Sequence, residues 1–118
     1  MENHEYVQYC LTKKGAYIDY PFGPKPMVIK VMSKMFALIS TDEEVLKISL
    51  KCDPDIANDL RNQYESVVPG YHLNKQHWNT VIIDDSIPTS EIQWMIDLSY
   101  TLVVKGLKKQ EKTELESL

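Results

Sequence analysis

Three strand-like runs follow one another without a helix between them, and this succession constrains the fold more than any other feature. Residues 27–32 and 35–39 are rich in aliphatic side chains and are separated only by a Ser-Lys break. So short a break predicts an antiparallel hairpin. Residues 45–51 then alternate apolar and polar side chains, which is typical of a strand with one buried side. We therefore expect an α+β protein with a largely antiparallel sheet, helices packed on one face and the other face open to a partner.

Helices and shorter strands complete the predicted order. An apolar stripe predicts a first helix, the Asp53-Pro54 pair predicts the start of a second, and a long stripe predicts a third. The expected helices are residues 2–14, 53–65 and 89–107, residues 16–23 form a shaped connection, and residues 71–73 and 77–84 form short strands. One domain over residues 1–108 accounts for these elements, and the charged residues 109–118 are expected to fray.

Several functional classes find no support in the sequence. The chain lacks an apolar run long enough to cross a membrane, and its start is acidic where a signal peptide is basic, so we expect a cytoplasmic protein without a membrane partner. Cys10 and Cys52 fit buried core positions, although the helix start after Cys52 could lower its thiol pKa. Neither a phosphate loop nor a hydrolase motif is present, so the chain is more consistent with a non-enzyme, and no cofactor is predicted.

The formal net charge of −4 is distributed unevenly. Residues 11–36 carry five lysines and one aspartate, whereas residues 42–66 and 84–118 are acidic. Residues 67–83 carry one lysine, Lys75, and two histidines that gain charge below about pH 6.5. This distribution predicts an acidic back and a neutral-to-basic front.

Residues 69–81, called here the 69–81 segment, are unusually dense in polar and aromatic side chains. Its candidate binding residues are Tyr71, His72, Asn74, Lys75, His77, Trp78 and Asn79. In a nucleic-acid site, Lys75 contacts phosphate, Trp78 or Tyr71 stacks on a base, and Asn74 or Asn79 reads a base edge. In the alternative interpretation both rings belong to the core, Asn74 closes a turn and the histidines lie in solvent.

Asp19 is a second candidate, because it lies among aromatic residues before a rigid Pro-containing turn. It could bind a polar ligand or orient His72 or His77, or it could only fix the turn while Tyr20 and Phe22 enter the core. A metal site built from Asp19 and the two histidines matches no established zinc spacing, so no metal is predicted.

Several motifs together resemble the MmcQ/YjbR family. They are Asp19-Tyr20-Pro21-Phe22-Gly23, Lys34-Met35-Phe36-Ala37, Leu50-Lys51-Cys52-Asp53, Pro69-Gly70-Tyr71-His72-Leu73-Asn74-Lys75, His77-Trp78-Asn79-Thr80-Val81 and Ser99-Tyr100. The resemblance extends from the first helix to Val103. It implies a CyaY-like fold and a DNA-binding role.

Two functional hypotheses follow. The first is a DNA-binding module whose phosphate contacts come from the lysines of the hairpin and three later ones, namely Lys25, Lys30, Lys34, Lys47, Lys51 and Lys75. The second is a small-ligand or protein-interaction domain with a groove lined by Asp19, Tyr71, His72, His77 and Trp78.

Overall fold

The computed structural model describes residues 2–40, 45–70 and 73–118 of the protein, and for residues 2–4 it describes the backbone alone. The elements run in the order α1 (Glu2–Leu11), β1 (Ala16–Asp19), β2 (Met27–Val31), β3 (Lys34–Ser40), β4 (Lys47–Lys51), α2 (Pro54–Gln63), β5 (Val67–Pro69), β6 (Trp78–Ile82), α3 (Thr89–Lys105) and α4 (Lys109–Glu116). Within these ranges, no helix combines the length and the apolar character that crossing a bilayer requires.

The six strands form one antiparallel sheet in the order β1-β2-β3-β4-β6-β5. The α+β class and the antiparallel sheet predicted from the sequence are therefore confirmed, while the likeness to a CyaY-like fold stays a prediction. The 27–39 hairpin forms as expected, and Met32 adopts a left-handed φ of 54° in its turn. Strand β1 forms within residues 16–23, for which the sequence predicted a non-helical connection and no strand. Strand β5 precedes the predicted 71–73 strand, of which Tyr71 and His72 lie outside the described residues.

The helices cover one face of the sheet. Strand residues such as Ile29, Ile48 and Val81 are at most 1% exposed and join buried residues of all four helices in a single core cluster. Side chains alternate between the two faces along a strand, and Val28 and Trp78 point to the face opposite this cluster. Both are buried but do not belong to the cluster. We call the side that bears Val28 and Trp78 the helix-free face.

A buried serine joins α3 to two strands. The pairing of β2 with β3 is irregular between Ile29 and Lys30, where a β-bulge interrupts the register. Close to this bulge, Ser99 Oγ donates to the Phe36 carbonyl at 2.5 Å and accepts from the Lys51 backbone N–H at 2.9 Å. The β3–β4 pairing ends at Ala37 and Leu50. The Ser99 hydroxyl therefore supplies a hydrogen-bond partner to the next backbone group on each strand.

The predicted helix start at Asp53 is present, because its side chain accepts from the Asp55 N–H at 3.0 Å and Pro54 begins α2. The C-terminal residues differ from the prediction of fraying, since Lys109–Glu116 form α4. Leu115 is buried in the core cluster, and its Cδ1 lies 2.6 Å from where a Cβ on Gly15 would stand. Because most residues of this segment are charged, its composition did not indicate that Leu115 packs in the core.

Candidate nucleic-acid interface

The strands carry most of their formal charge as lysine. Asp19 is the one acidic residue in the six strands, against four basic ones, Lys30, Lys34, Lys47 and Lys51. The strand net charge is thus +3, whereas the four helices contain nine acidic and four basic residues, a net charge of −5. The strands of this protein are therefore net positive and its helices net negative.

The strand register shows which of these lysines share a face. Residues directly opposite each other in an antiparallel pair project to the same side. Tyr17 is opposite Lys30, and Lys51 is opposite Trp78. Lys47 and Lys51 are four residues apart on β4 and so point the same way. Three lysines, Lys30, Lys47 and Lys51, consequently lie on the helix-free face, while Lys34 is exposed at the end of the hairpin.

Hydroxyl groups lie among these lysines. The hydroxyl oxygens of Ser49 and Thr80 are 2.8 Å apart on paired strands. Leu38 is opposite Ser49, which extends this row onto β3. Thr80 is buried, so the partly exposed lysines of the helix-free face are the groups that a polyanion could contact.

Asp19 is engaged by a lysine of the same face. Its carboxylate lies 2.9 Å from the Lys30 ammonium and also accepts from the Tyr20 backbone N–H at 2.8 Å. Hydrogen bonding from Lys30 and then from Tyr20 lowers the pKa of Asp19, and the same pair raises the pKa of Lys30. The Asp19 carboxylate is therefore held by Lys30 and by the N–H of the next residue, whereas an Asx turn uses the N–H two residues further along.

The predicted groove between Asp19 and the histidines does not form around His77. Asp19 is on the edge strand β1, whereas His77 immediately precedes β6, four strands along the sheet. At about 4.8 Å per strand this separation is roughly 19 Å. The other proposed members of the groove, Tyr71 and His72, lie outside the described residues.

Within the 69–81 segment, residues 74–77 form a hydrogen-bonded turn before β6. Asn74 Oδ1 accepts from the Gln76 N–H at 2.9 Å, and the Asn74 carbonyl accepts from the His77 N–H at 3.2 Å. The His77 carbonyl in turn accepts from the Cys52 N–H at 2.7 Å. Asn74 thus closes a turn, and Lys75 within this turn is exposed.

Arg61, the only arginine in the sequence, holds this turn against α2. Its Nε donates to Asn79 Oδ1 at 2.6 Å, and its terminal nitrogen donates to the carbonyls of Lys75 and, at 3.2 Å, Trp78. Asn79 is 3% exposed and also donates to the Ala57 carbonyl. Asn79 is therefore a structural partner of Arg61. Sequence reasoning did not single out Arg61, although a single arginine in the chain was a signal that could have drawn attention to it.

The structure buries Trp78, as one of the two interpretations expected, and exposes the aromatic residues that follow Asp19. Trp78 is 8% exposed, which leaves little ring surface for stacking. Tyr20 and Phe22, for which a core position was considered, are 48% and 61% exposed in the β1–β2 connection. Tyr17, on the helix-free face, is 43% exposed and donates its hydroxyl to the Met32 carbonyl at 2.5 Å. Among these four residues, the accessible ring surface lies in β1 and the connection that follows it.

The groups that could support other chemistry are few. In the described ranges, no cluster of three histidine, cysteine or acidic side chains could hold a metal ion. Burial raises the pKa of Cys10 to about 12 and that of Cys52 to about 11, so the helix start after Cys52 does not activate its thiol.

Comparison with known proteins gives a consistent family assignment. The chain is 39% identical to protein YjbR of Escherichia coli (strain K12) over 114 residues, which is 97% of each chain. It is 39% identical to YyaQ of Bacillus subtilis (strain 168) over 117 residues, covering 86% of this chain and 98% of YyaQ. The crystal structure of Deinococcus radiodurans protein DR2400, which has a DUF419 domain, matches with a TM-score of 0.87 and 36% identity over 96% of this chain and 86% of that one. The YjbR family model matches residues 11–102, and the chain belongs to the YjbR family.

Proposed function

We propose that this protein binds DNA through the helix-free face of its sheet. The observation that carries the proposal is the division of charge, with a net +3 on the strands of an otherwise acidic protein. A local cationic surface attracts a polyanion even when the total charge has the wrong sign, because screening limits the reach of distant charges.

The geometry favours single-stranded over duplex DNA. Lys47 and Lys51 are separated by four strand residues, about 13 Å, and Lys30 lies two strands away, about 10 Å. Tyr17 extends the same face with an exposed ring. Lysines beside an exposed ring on the sheet suit backbone contacts combined with base stacking, which requires unpaired bases.

A titration of fluorescent single-stranded and duplex oligonucleotides at several salt concentrations tests the proposal. The wild type is compared with Lys47→Gln/Lys51→Gln and with the matched control Lys105→Gln/Lys109→Gln, which removes two exposed lysines from the helical side. We expect the sheet variant to bind more weakly and to lower the salt slope by about 1.4 for single strands, at roughly 0.7 per phosphate contact.

The control variant is expected to retain the affinity and salt slope of the wild type. Equal weakening in both double variants would show only that net charge matters. Absence of salt-sensitive binding by the wild type at micromolar concentration would refute the proposal.

A further inference from the structure

A groove between α2 and α3 lies on the helical side of the molecule, away from the helix-free face. It is a shallow, open depression of about 660 Å³, lined by Ile56, Asp59, Leu60 and Gln63 of α2 and by Ser90, Glu91 and Trp94 of α3. The volume is in the range of natural ligand sites. The four α2 residues recur at helical spacing and so present one continuous side of that helix to the groove.

Trp94 is the most conspicuous side chain of this groove. It is 43% exposed, although α3 otherwise buries an apolar stripe that includes Ile92, Met95 and Ile96. A tryptophan at the edge of an apolar floor is a typical anchor of an interface, because its large ring contributes area without much conformational entropy. Leu60 and Ile56 supply that floor.

The groove also carries two carboxylates without a cationic partner among the described residues. Glu91 accepts from the Tyr64 hydroxyl at 3.3 Å, and neither Glu91 nor Asp59 forms an ion pair there. Arg61, the basic residue of α2, is directed to the turn beyond β5 instead. Among the described side chains, the groove therefore presents two carboxylates beside an exposed ring and no cation paired with them.

We propose that the α2–α3 groove binds a basic peptide segment of a partner protein. Charge complementarity selects this occupant: a lysine or arginine side chain lies over the Trp94 ring between Asp59 and Glu91. A neighbouring aliphatic side chain of the peptide packs on Ile56 and Leu60. This site is independent of the proposed DNA-binding face.

A phage-displayed library of random dodecapeptides, selected on the immobilised full-length protein, supplies the probe. We expect the enriched peptides to combine lysine or arginine with leucine, isoleucine or phenylalanine. The strongest peptide is then synthesised with a fluorescein label and titrated by anisotropy at about 0.15 M salt. Trp94→Ala and Asp59→Asn/Glu91→Gln are each expected to weaken binding about tenfold.

Two controls separate this inference from general effects. Glu114→Gln/Glu116→Gln removes two exposed carboxylates of α4, outside the groove, and is expected to leave peptide affinity unchanged. The groove variants are expected to keep the wild-type urea midpoint and oligonucleotide affinity, so failure here is distinguishable from failure of the DNA-binding proposal.

The proposal is overturned if no peptide is enriched, if the enriched peptides lack basic residues, or if Trp94→Ala binds them as tightly as the wild type. Displacement by spermine at the same concentration as unlabelled peptide would reassign the groove to small organic cations. Concentration-dependent self-association that Trp94→Ala abolishes would reassign it to a second copy of the chain.

Discussion

Replacing Ser99 by alanine removes the hydroxyl group that bonds backbone groups of both β3 and β4. Ser99 is fully buried in α3, and its Oγ bonds both the Phe36 carbonyl and the Lys51 N–H. The substitution leaves no large cavity, because only one oxygen is lost. Its effect on stability therefore reports the two backbone groups of β3 and β4 that lose their partner.

The magnitude follows from those two groups. A buried donor or acceptor left without a partner costs about 1–3 kcal/mol, and Lys51 is only half-buried, so the total is about 3 kcal/mol. With a urea m-value of about 1.5 kcal/mol/M for a domain of this size, the unfolding midpoint falls by about 2 M. Far-ultraviolet circular dichroism during urea unfolding measures this shift.

A matched substitution on the same helix is Thr101→Ala, which removes an exposed hydroxyl group and should change the unfolding free energy by at most about 0.5 kcal/mol. If Ser99→Ala also shifts the midpoint by less than about 0.3 M with an unchanged m-value, water or a local rearrangement satisfies both backbone groups and the argument fails.

Two further predictions concern ionisation. Because burial raises the pKa of both thiols, Cys10 and Cys52 should react with a disulfide reagent at about pH 8 only after denaturant is added, and rapid reaction of either thiol in the native protein would contradict this. Hydrogen bonds from Ser66 and then Ser86 lower the pKa of Asp84. A carboxyl group whose pKa is lower in the folded state stabilises the protein at pH values above its unfolded-state pKa of about 3.9. This contribution is lost as the pH falls through the folded-state pKa. Asp84→Asn should therefore reduce the loss of stability measured by urea unfolding between about pH 5 and pH 2; an unchanged pH dependence would refute this.

The parts of the fold predicted from sequence are those with local determinants. The 27–39 hairpin follows from two aliphatic runs with a short break, and the α2 start follows from Asp53 before a proline. Alternation along β4 placed Lys47 and Lys51 on one side, and the structure puts both on the helix-free face. Each of these inferences depends on neighbours within a few residues.

The missed features depend on contacts between distant residues. Arg61 and Asn79 are 18 positions apart, and only the packing of α2 beside β6 brings them together. Aromatic composition could not show that Phe22 is exposed while Trp78 is covered, because burial is decided by the path of the surrounding chain. The same reason explains why the 69–81 segment contains fewer available binding groups than its composition indicated.

The overall charge of −4 argued against a DNA-binding role, and the structure alters the weight of that argument. The shortest principal extent of the molecule is 26 Å, and the acidic helices lie on the side opposite the lysines of the sheet. Charges separated by more than the Debye length, about 8 Å at physiological ionic strength, are largely screened, whereas this length grows to about 30 Å at 0.01 M salt. Repulsion from the helices should therefore act mainly at very low salt, where it opposes the gain in affinity expected from counterion release. Oligonucleotide affinities measured at about 0.1 M salt and above consequently report the sheet lysines, and a salt dependence that flattens at lower concentrations is what charge segregation on two faces implies.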